Sequence, residues 1–126
     1  MAALNLDTAN VFKLDDFNKA TDAITTTGLV GTVDATDGAT FTMDEASEKT
    51  LIMLQASTAD AAVTIKAGNG LQGVNDLTFT VASGKTKFIS IESGRFKNVK
   101  GTSKGKVIIT YTGASAVLKA CVVTLP

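Results

Sequence analysis

Hydrophobic and polar positions alternate through the second half of this chain with the period of two that belongs to extended backbone. In Leu77-Thr-Phe-Thr-Val81 the alternation is strict, so Leu77, Phe79 and Val81 share one face and Thr78 and Thr80 the other. Val63-Thr-Ile-Lys-Ala67 repeats the pattern, and residues 87–91, 107–111 and 117–125 follow it with less purity. Each run is bounded by Gly, Asn, Asp or Ser clusters. Leu51-Ile-Met-Leu54 is apolar at every position, which predicts a central strand buried on both faces, with Phe41 and Met43 marking a partner just before it. Strands recurring every 10–15 residues from about position 40, joined by glycine turns, predict an all-β (mainly β) fold. The expected architecture is an antiparallel β-sandwich or small barrel rather than βαβ units.

The first 40 residues read differently. Leu14, Phe17, Thr21 and Ile24 fall at helical spacing behind Asp15 or Asp16 as N-cap, predicting one short helix near 15–25 ended by Thr25-Thr-Thr-Gly28. Residues 1–13 read as an extended N-terminal arm with Leu4, Leu6, Val11 and Phe12 as its apolar anchors, and residues 14–126 as a single sandwich domain. An arm of this kind either folds back as an edge strand or orders on a partner. Composition agrees with the strand reading. Of 126 residues 19 are threonine, a β-branched residue that fits a pleated, half-buried surface.

Composition also limits the chemistry. The chain has no histidine and one cysteine, which removes Ser-His-Asp and Cys-His nucleophile pairs, the usual zinc ligand sets and any internal disulfide. The first residues carry no Lys or Arg and are interrupted by polar side chains, so a secretory signal is not expected, and no apolar run approaches a membrane span. Gly68-Asn-Gly-Leu-Gln-Gly73 matches G-x-G-x-x-G, with Glu92 at 19 residues beyond. A dinucleotide site needs a helix after the glycines, and residues 74–81 have period two, so the glycines are expected to adopt positive φ in a turn instead. Asp15 and Asp16, or Asp44, Glu45 and Glu48, lack the alternating ligands of a calcium loop. Cys121 lies in an apolar run and is expected to be an inert core thiol. No catalytic residue, cofactor or metal is expected.

The 12 basic and 12 acidic side chains cancel, which gives no argument for nucleic acid or an anionic membrane as partner. The cancellation conceals an asymmetry: residues 1–60 hold ten acids against three bases, residues 61–126 nine bases against two acids. Interleaving strands would mix these charges; segregated, they would give the molecule an acidic and a basic pole. The densest piece runs from Arg95 to Lys106, with Lys97, Lys100 and Lys104 between and no acid, and is expected to form a hairpin.

Residues 49–125 resemble the small head-decoration proteins of tailed bacteriophages. The resemblance rests above all on Val63-Thr-Ile-Lys-Ala-Gly-Asn-Gly-Leu-Gln-Gly-Val-Asn-Asp-Leu-Thr-Phe-Thr-Val-Ala-Ser-Gly-Lys85, on Glu92-Ser-Gly-Arg-Phe-Lys-Asn-Val99, and on the later strand at residues 105–110. It implies a non-enzymatic structural protein, made in the bacterial cytoplasm and carried on the virion, that binds the major capsid protein lattice on the outer face of an assembled head and stabilises it. A homo-oligomer, a trimer about a symmetry axis, is compatible with such a lattice. The expected contact surface combines the arm (Leu4, Leu6, Phe12) with the basic segment (Arg95, Lys97, Lys100, Lys104, Lys106). The alternative is a carbohydrate-binding or adhesion sandwich of a phage tail or cell surface, against which stand the absence of Trp and the single Tyr111.

Overall fold

The computed structural model describes residues 3–6, 11–13, 31–43, 50–70, 75–91, 93–102 and 104–124. These form ten strands and one helical turn: β1 (Leu4–Asn5), β2 (Val11–Lys13), β3 (Gly31–Thr32), β4 (Ala39–Thr42), β5 (Thr50–Ser57), β6 (Ala61–Ile65), β7 (Leu77–Val81), β8 (Thr86–Ile89), α1 (Ser93–Phe96), β9 (Lys106–Thr112) and β10 (Val117–Thr124). They build two open sheets. Sheet A has the order β1-β4-β9-β6-β7, and sheet B the order β2-β10-β5-β8 with β3 also on β10. The fold is a β-sandwich, and the barrel alternative falls because neither sheet closes on itself. The helix expected near 15–25 and the carboxylates at 15, 16, 44, 45 and 48 lie outside the described residues.

Period-two alternation becomes layering. Ala39 and Phe41 of β4, Val63 and Ile65 of β6, Val107 and Ile109 of β9, and Val81 of β7 point inward from sheet A and are almost wholly buried. Ile52, Leu54 and Ala56 of β5, with Leu118, Ala120 and Val122 of β10, meet them from sheet B. The side chains between them on sheet A are largely threonine: Thr78 pairs with Thr64, and Thr64 with Thr110, in one row across three strands. This is why the chain is so rich in that residue. A threonine satisfies a half-exposed pleated surface without adding a hydrophobic patch.

The strand expected to be buried on both faces is β5. Its inward residues join the main core, while Met53 forms a second buried cluster with Cys121 and Val123 on the other face of sheet B, with Leu51 packed against it. Cys121 has no exposure, and desolvation of the thiolate pushes its thiol pKa up, so the sulfur stays protonated and unreactive.

Six of the eight strand pairings are antiparallel; the two parallel ones belong to the N-terminal residues. β1 runs parallel to β4 at the margin of sheet A, and β2 parallel to β10 at the margin of sheet B. The expected arm is thus divided between the sheets. The Leu6 N–H donates to the Thr40 carbonyl at 2.9 Å, and its side chain is completely buried. Leu4 and Leu6 therefore supply core packing, and residues 4–5 and 11–13 edge pairing, which a free arm would not.

One turn is held electrostatically. The Asp34 carboxylate accepts from the N–H groups of Asp37 and Thr36, both at 2.8 Å, and those two bonds hold its carboxyl pKa below the usual aspartate value.

Two outcomes are expected. Leu6→Ala opens a cavity in the main core and lowers unfolding free energy by about 2–5 kcal/mol in urea denaturation, whereas a dangling arm would give no change. Because the folded-state pKa of Asp34 is the lower one, the turn's contribution is complete above the ordinary aspartate pKa and is lost as pH falls through the depressed value. NMR titration of the Thr36 and Asp37 amides is expected to report that midpoint, and Asp34→Asn, which keeps an acceptor oxygen, to remove it.

Candidate functional site

The basic segment gathers at the end of the sandwich where β6 ends and β9 begins. Its geometry starts from α1, whose Phe96 is 2% exposed and roots the turn in the core beside Ile91. The Arg95 guanidinium lies over the Phe96 ring, 4.8 Å from its centroid. Beyond Phe96 the chain folds back on itself as a short hairpin loop. Asn98 closes it: its backbone N–H and its Nδ2 both donate to the Lys106 carbonyl, at 2.9 and 3.1 Å, while the Gly105 N–H donates to the Asn98 carbonyl at 2.7 Å. Gly101 and Gly105 both sit at φ +83°, a conformation that other residues rarely adopt. The hairpin is preceded by a helical turn, which Phe96 anchors, rather than by a strand.

A second loop clamps the first. After β6, the Gly68 N–H donates to the Arg95 carbonyl at 2.7 Å. Asn69 then acts as a detached piece of backbone: its Oδ1 accepts from the Val99 N–H at 2.7 Å and its Nδ2 donates to the Lys100 carbonyl at 2.9 Å. This explains the glycine motif differently from the turn reading. Gly68 and Gly70 are not in the positive-φ region. Gly68 is required because a Cβ there would stand 2.4 Å from the Lys97 carbonyl oxygen, and a Cβ at Gly70 would touch Val99. Gly73 lies outside the described residues. The motif serves loop-to-loop packing, and the signal that could have revealed it is Asn69, whose side chain can donate and accept at once.

The five cations ride on this clasped frame. Lys100 and Lys104 are exposed, Arg95, Lys97 and Lys106 half-buried, and none makes an ion pair with a described residue. Carboxylates nearby are already engaged. Asp76 accepts from the Ala67 N–H at 2.7 Å and lies 3.8 Å from the Lys66 ammonium, both side chains roughly half exposed. At the other end of the sandwich Asp60 accepts from the Ser83 N–H at 2.8 Å. The described residues contain no group of three or more potential metal-ligating side chains, and no described helix is long and apolar enough to cross a membrane.

The expected contact surface does not come together as one patch. Leu4 pairs with Ala39 at the start of β4, whereas the basic loop meets Met43 just past its end, where the Met43 N–H donates to the Gly105 carbonyl at 3.0 Å. Leu6 is buried, so it presents nothing to a partner. Phe12 falls opposite Val123 in the register of β2 on β10. The cations remain together, while Leu4 stands at the far end of β4 from them and Leu6 is buried. Interleaving is also visible in the topology, since β4 pairs with β9 and β5 with β8 and β10, joining the acidic half of the chain to the basic half.

The architecture is that of a β-sandwich with its loops collected at two ends. Comparison with protein-family models, with curated proteins and with solved structures finds no match to this chain.

Asn69→Ala removes both side-chain bonds to the basic loop. Amide hydrogen exchange at Val99 is expected to accelerate at least about tenfold, following the roughly 1–2 kcal/mol that such bonds contribute, with core amides such as Ile109 unaffected. Equal protection in the variant would show that the clasp does not hold the loop.

Proposed function

We propose that the chain is a capsid decoration protein: a structural, non-enzymatic module of a bacteriophage virion that binds the outer surface of the assembled head through its basic end and stabilises it. The observation that carries this reading is the clasped loop itself. Asn98 and Asn69 tie the backbone of residues 97–106 to β9 and to the loop after β6, while Lys97, Lys100 and Lys104 are left without carboxylate partners among the described residues. A cation on a fixed frame loses less freedom when it meets a fixed acidic surface than one on a mobile loop. The resemblance to head-decoration proteins covers these same elements, the β6–loop–β7 unit and the α1–loop–β9 unit.

A capsid lattice presents the same surface many times, so contacts of modest individual strength multiply when copies associate. A trimer placed on a symmetry axis would direct three such loops at the lattice at once. The partner is then the major capsid protein, and the molecule acts by cross-linking neighbouring capsid subunits from outside.

The test is co-sedimentation with assembled heads of the phage whose genome encodes the chain. The wild-type protein is expected to sediment with heads and to dissociate as salt rises from about 0.05 to 0.5 M, a range over which the Debye length falls severalfold. Combined charge reversal of Lys97, Lys100 and Lys104 to Glu is expected to weaken binding at least about tenfold with little change in melting temperature, because Lys100 and Lys104 are exposed and Lys97 makes no ion pair with a described residue. Full binding by the triple variant would remove the basic end from the contact. Wild-type protein remaining in the supernatant at low salt would overturn the capsid reading.

A further inference from the structure

The two lateral margins of the sandwich are unlike. On one, β1 and β2 cap sheets A and B; on the other, sheet B ends in β8, which among the described residues has β5 as its single neighbouring strand. The register of β8 on β5 shows what that edge offers. Ile52 lies opposite Ile89 and Gln55 opposite Thr86, and the Ala56 N–H donates to the Lys85 carbonyl in continuation of the same ladder. Antiparallel ladders alternate bonded and non-bonded pairs. The residues bonded to β5 are therefore Lys85, Lys87 and Ile89, and the N–H and C=O groups of Thr86 and Phe88 are directed outward to the open edge.

Exposed edges are commonly guarded by a lysine, and Lys87 stands in this strand. It does not guard the edge. Lys87 pairs with Leu54 and so faces the space between the sheets, where its ammonium lies over the Phe79 ring of β7, 5.0 Å from the centroid. Phe88, directed to the other face opposite Met53, is 57% exposed, one of two large hydrophobic side chains so placed among the described residues. Beside it is a cavity of 280 Å³, lined by Gln55, Ser57, Lys85, Thr86 and Lys119 together with Ala56 and Gly84. Lys119, Gln55 and Thr86 form one row across β10, β5 and β8, and neither Lys85 nor Lys119 has an acidic partner among the described residues.

We propose that the β8 edge is a docking site for an extended acidic segment of a partner protein, which adds as a strand through the outward backbone groups of Thr86 and Phe88. The residue opposite Thr86 shares its face and places a carboxylate in the cavity that Lys85 and Lys119 line. The residue two positions along lies opposite Phe88 and packs an apolar side chain on the exposed ring. The recognised pattern is therefore a carboxylate and an apolar residue at i and i+2 of an extended chain. A second copy of this chain fits the edge less well, because pairing β8 with β8 would bring two Lys85/Lys119 sets together without a neutralising charge.

The test uses the intact protein and two fluorescein-labelled peptides, Ser-Thr-Glu-Thr-Leu-Thr-Ser and the same peptide with Lys in place of Glu. Fluorescence anisotropy is expected to show the Glu peptide binding at least about tenfold tighter than the Lys peptide, in line with opposite-charge against like-charge placement. Thr86→Pro removes an N–H that the ladder does not use and is tolerated at an edge; it is expected to lower affinity at least about tenfold while circular dichroism and melting temperature stay unchanged. Lys119→Glu, on the neighbouring strand, is expected to reverse the order of the two peptides whatever the behaviour of the proline variant. The proposal is overturned if neither peptide binds at millimolar protein, if both bind equally, or if Thr86→Pro binds as the wild type does. It is likewise overturned if the wild type self-associates in sedimentation velocity and Thr86→Pro abolishes this, which would assign the edge to a second copy.

Discussion

The pairing of β5 with β10 is the constraint on which the remainder of this sandwich depends. Eight residues from Thr50 to Ser57 align with eight from Val117 to Thr124, and side chains on both faces of the ladder are buried. Buried peptide groups must find hydrogen-bond partners, and here each strand supplies the other's. Paired residues of the two strands lie sixty or more positions apart in sequence, so this ladder closes a long loop and brings the acidic half of the chain against the basic half. β10 in turn offers its other side to β2 and β3, and β5 offers its other side to β8. Losing the ladder would leave sheet B without a centre and the main core without one of its walls.

From that centre the two candidate binding features differ in kind. The basic loop is a rigid surface: its backbone is closed by Asn98, clamped by Asn69 and rooted by Phe96, so the cations sit on a frame that is already paid for in hydrogen bonds before any partner arrives. The β8 margin is the reverse, a backbone with outward donors and acceptors next to a cationic cavity. The first suits recognition of a preformed acidic surface and the second suits capture of an extended chain. Both arise where the sandwich stops, since sheet interiors leave no backbone group or loop free for recognition.

How far the fold was legible can be judged from particular residues. Leu77–Val81 is a strand as its alternation requires, with Phe79 and Val81 turned inward, and Leu51 to Leu54 is buried on both faces as its uninterrupted apolar pattern requires. These features are local, carried by side-chain period alone. The helical turn at Arg95–Phe96 was not legible because a single aromatic among cations has no periodicity; it depends on the burial of Phe96 in the core. Leu6 and Leu4 read equally well as free anchors or as an edge strand, and only the presence of an unfilled margin beside β4 decided between them.

By itself the sequence determined that the chain is built of strands, which positions face inward, that the surface of sheet A is threonine-rich, and that Cys121 is a core thiol. These follow from a period of two and from the cost of exposing or burying each side chain, both properties of neighbouring residues. Tertiary structure alone decided the order of strands, the parallel placement of β1 and β2, the close approach that requires Gly68, the clasp made by Asn69 and the openness of the β8 edge. Each of these depends on which distant segment lies alongside, and a hydrogen-bond ladder between segments sixty residues apart leaves no periodic trace in either one.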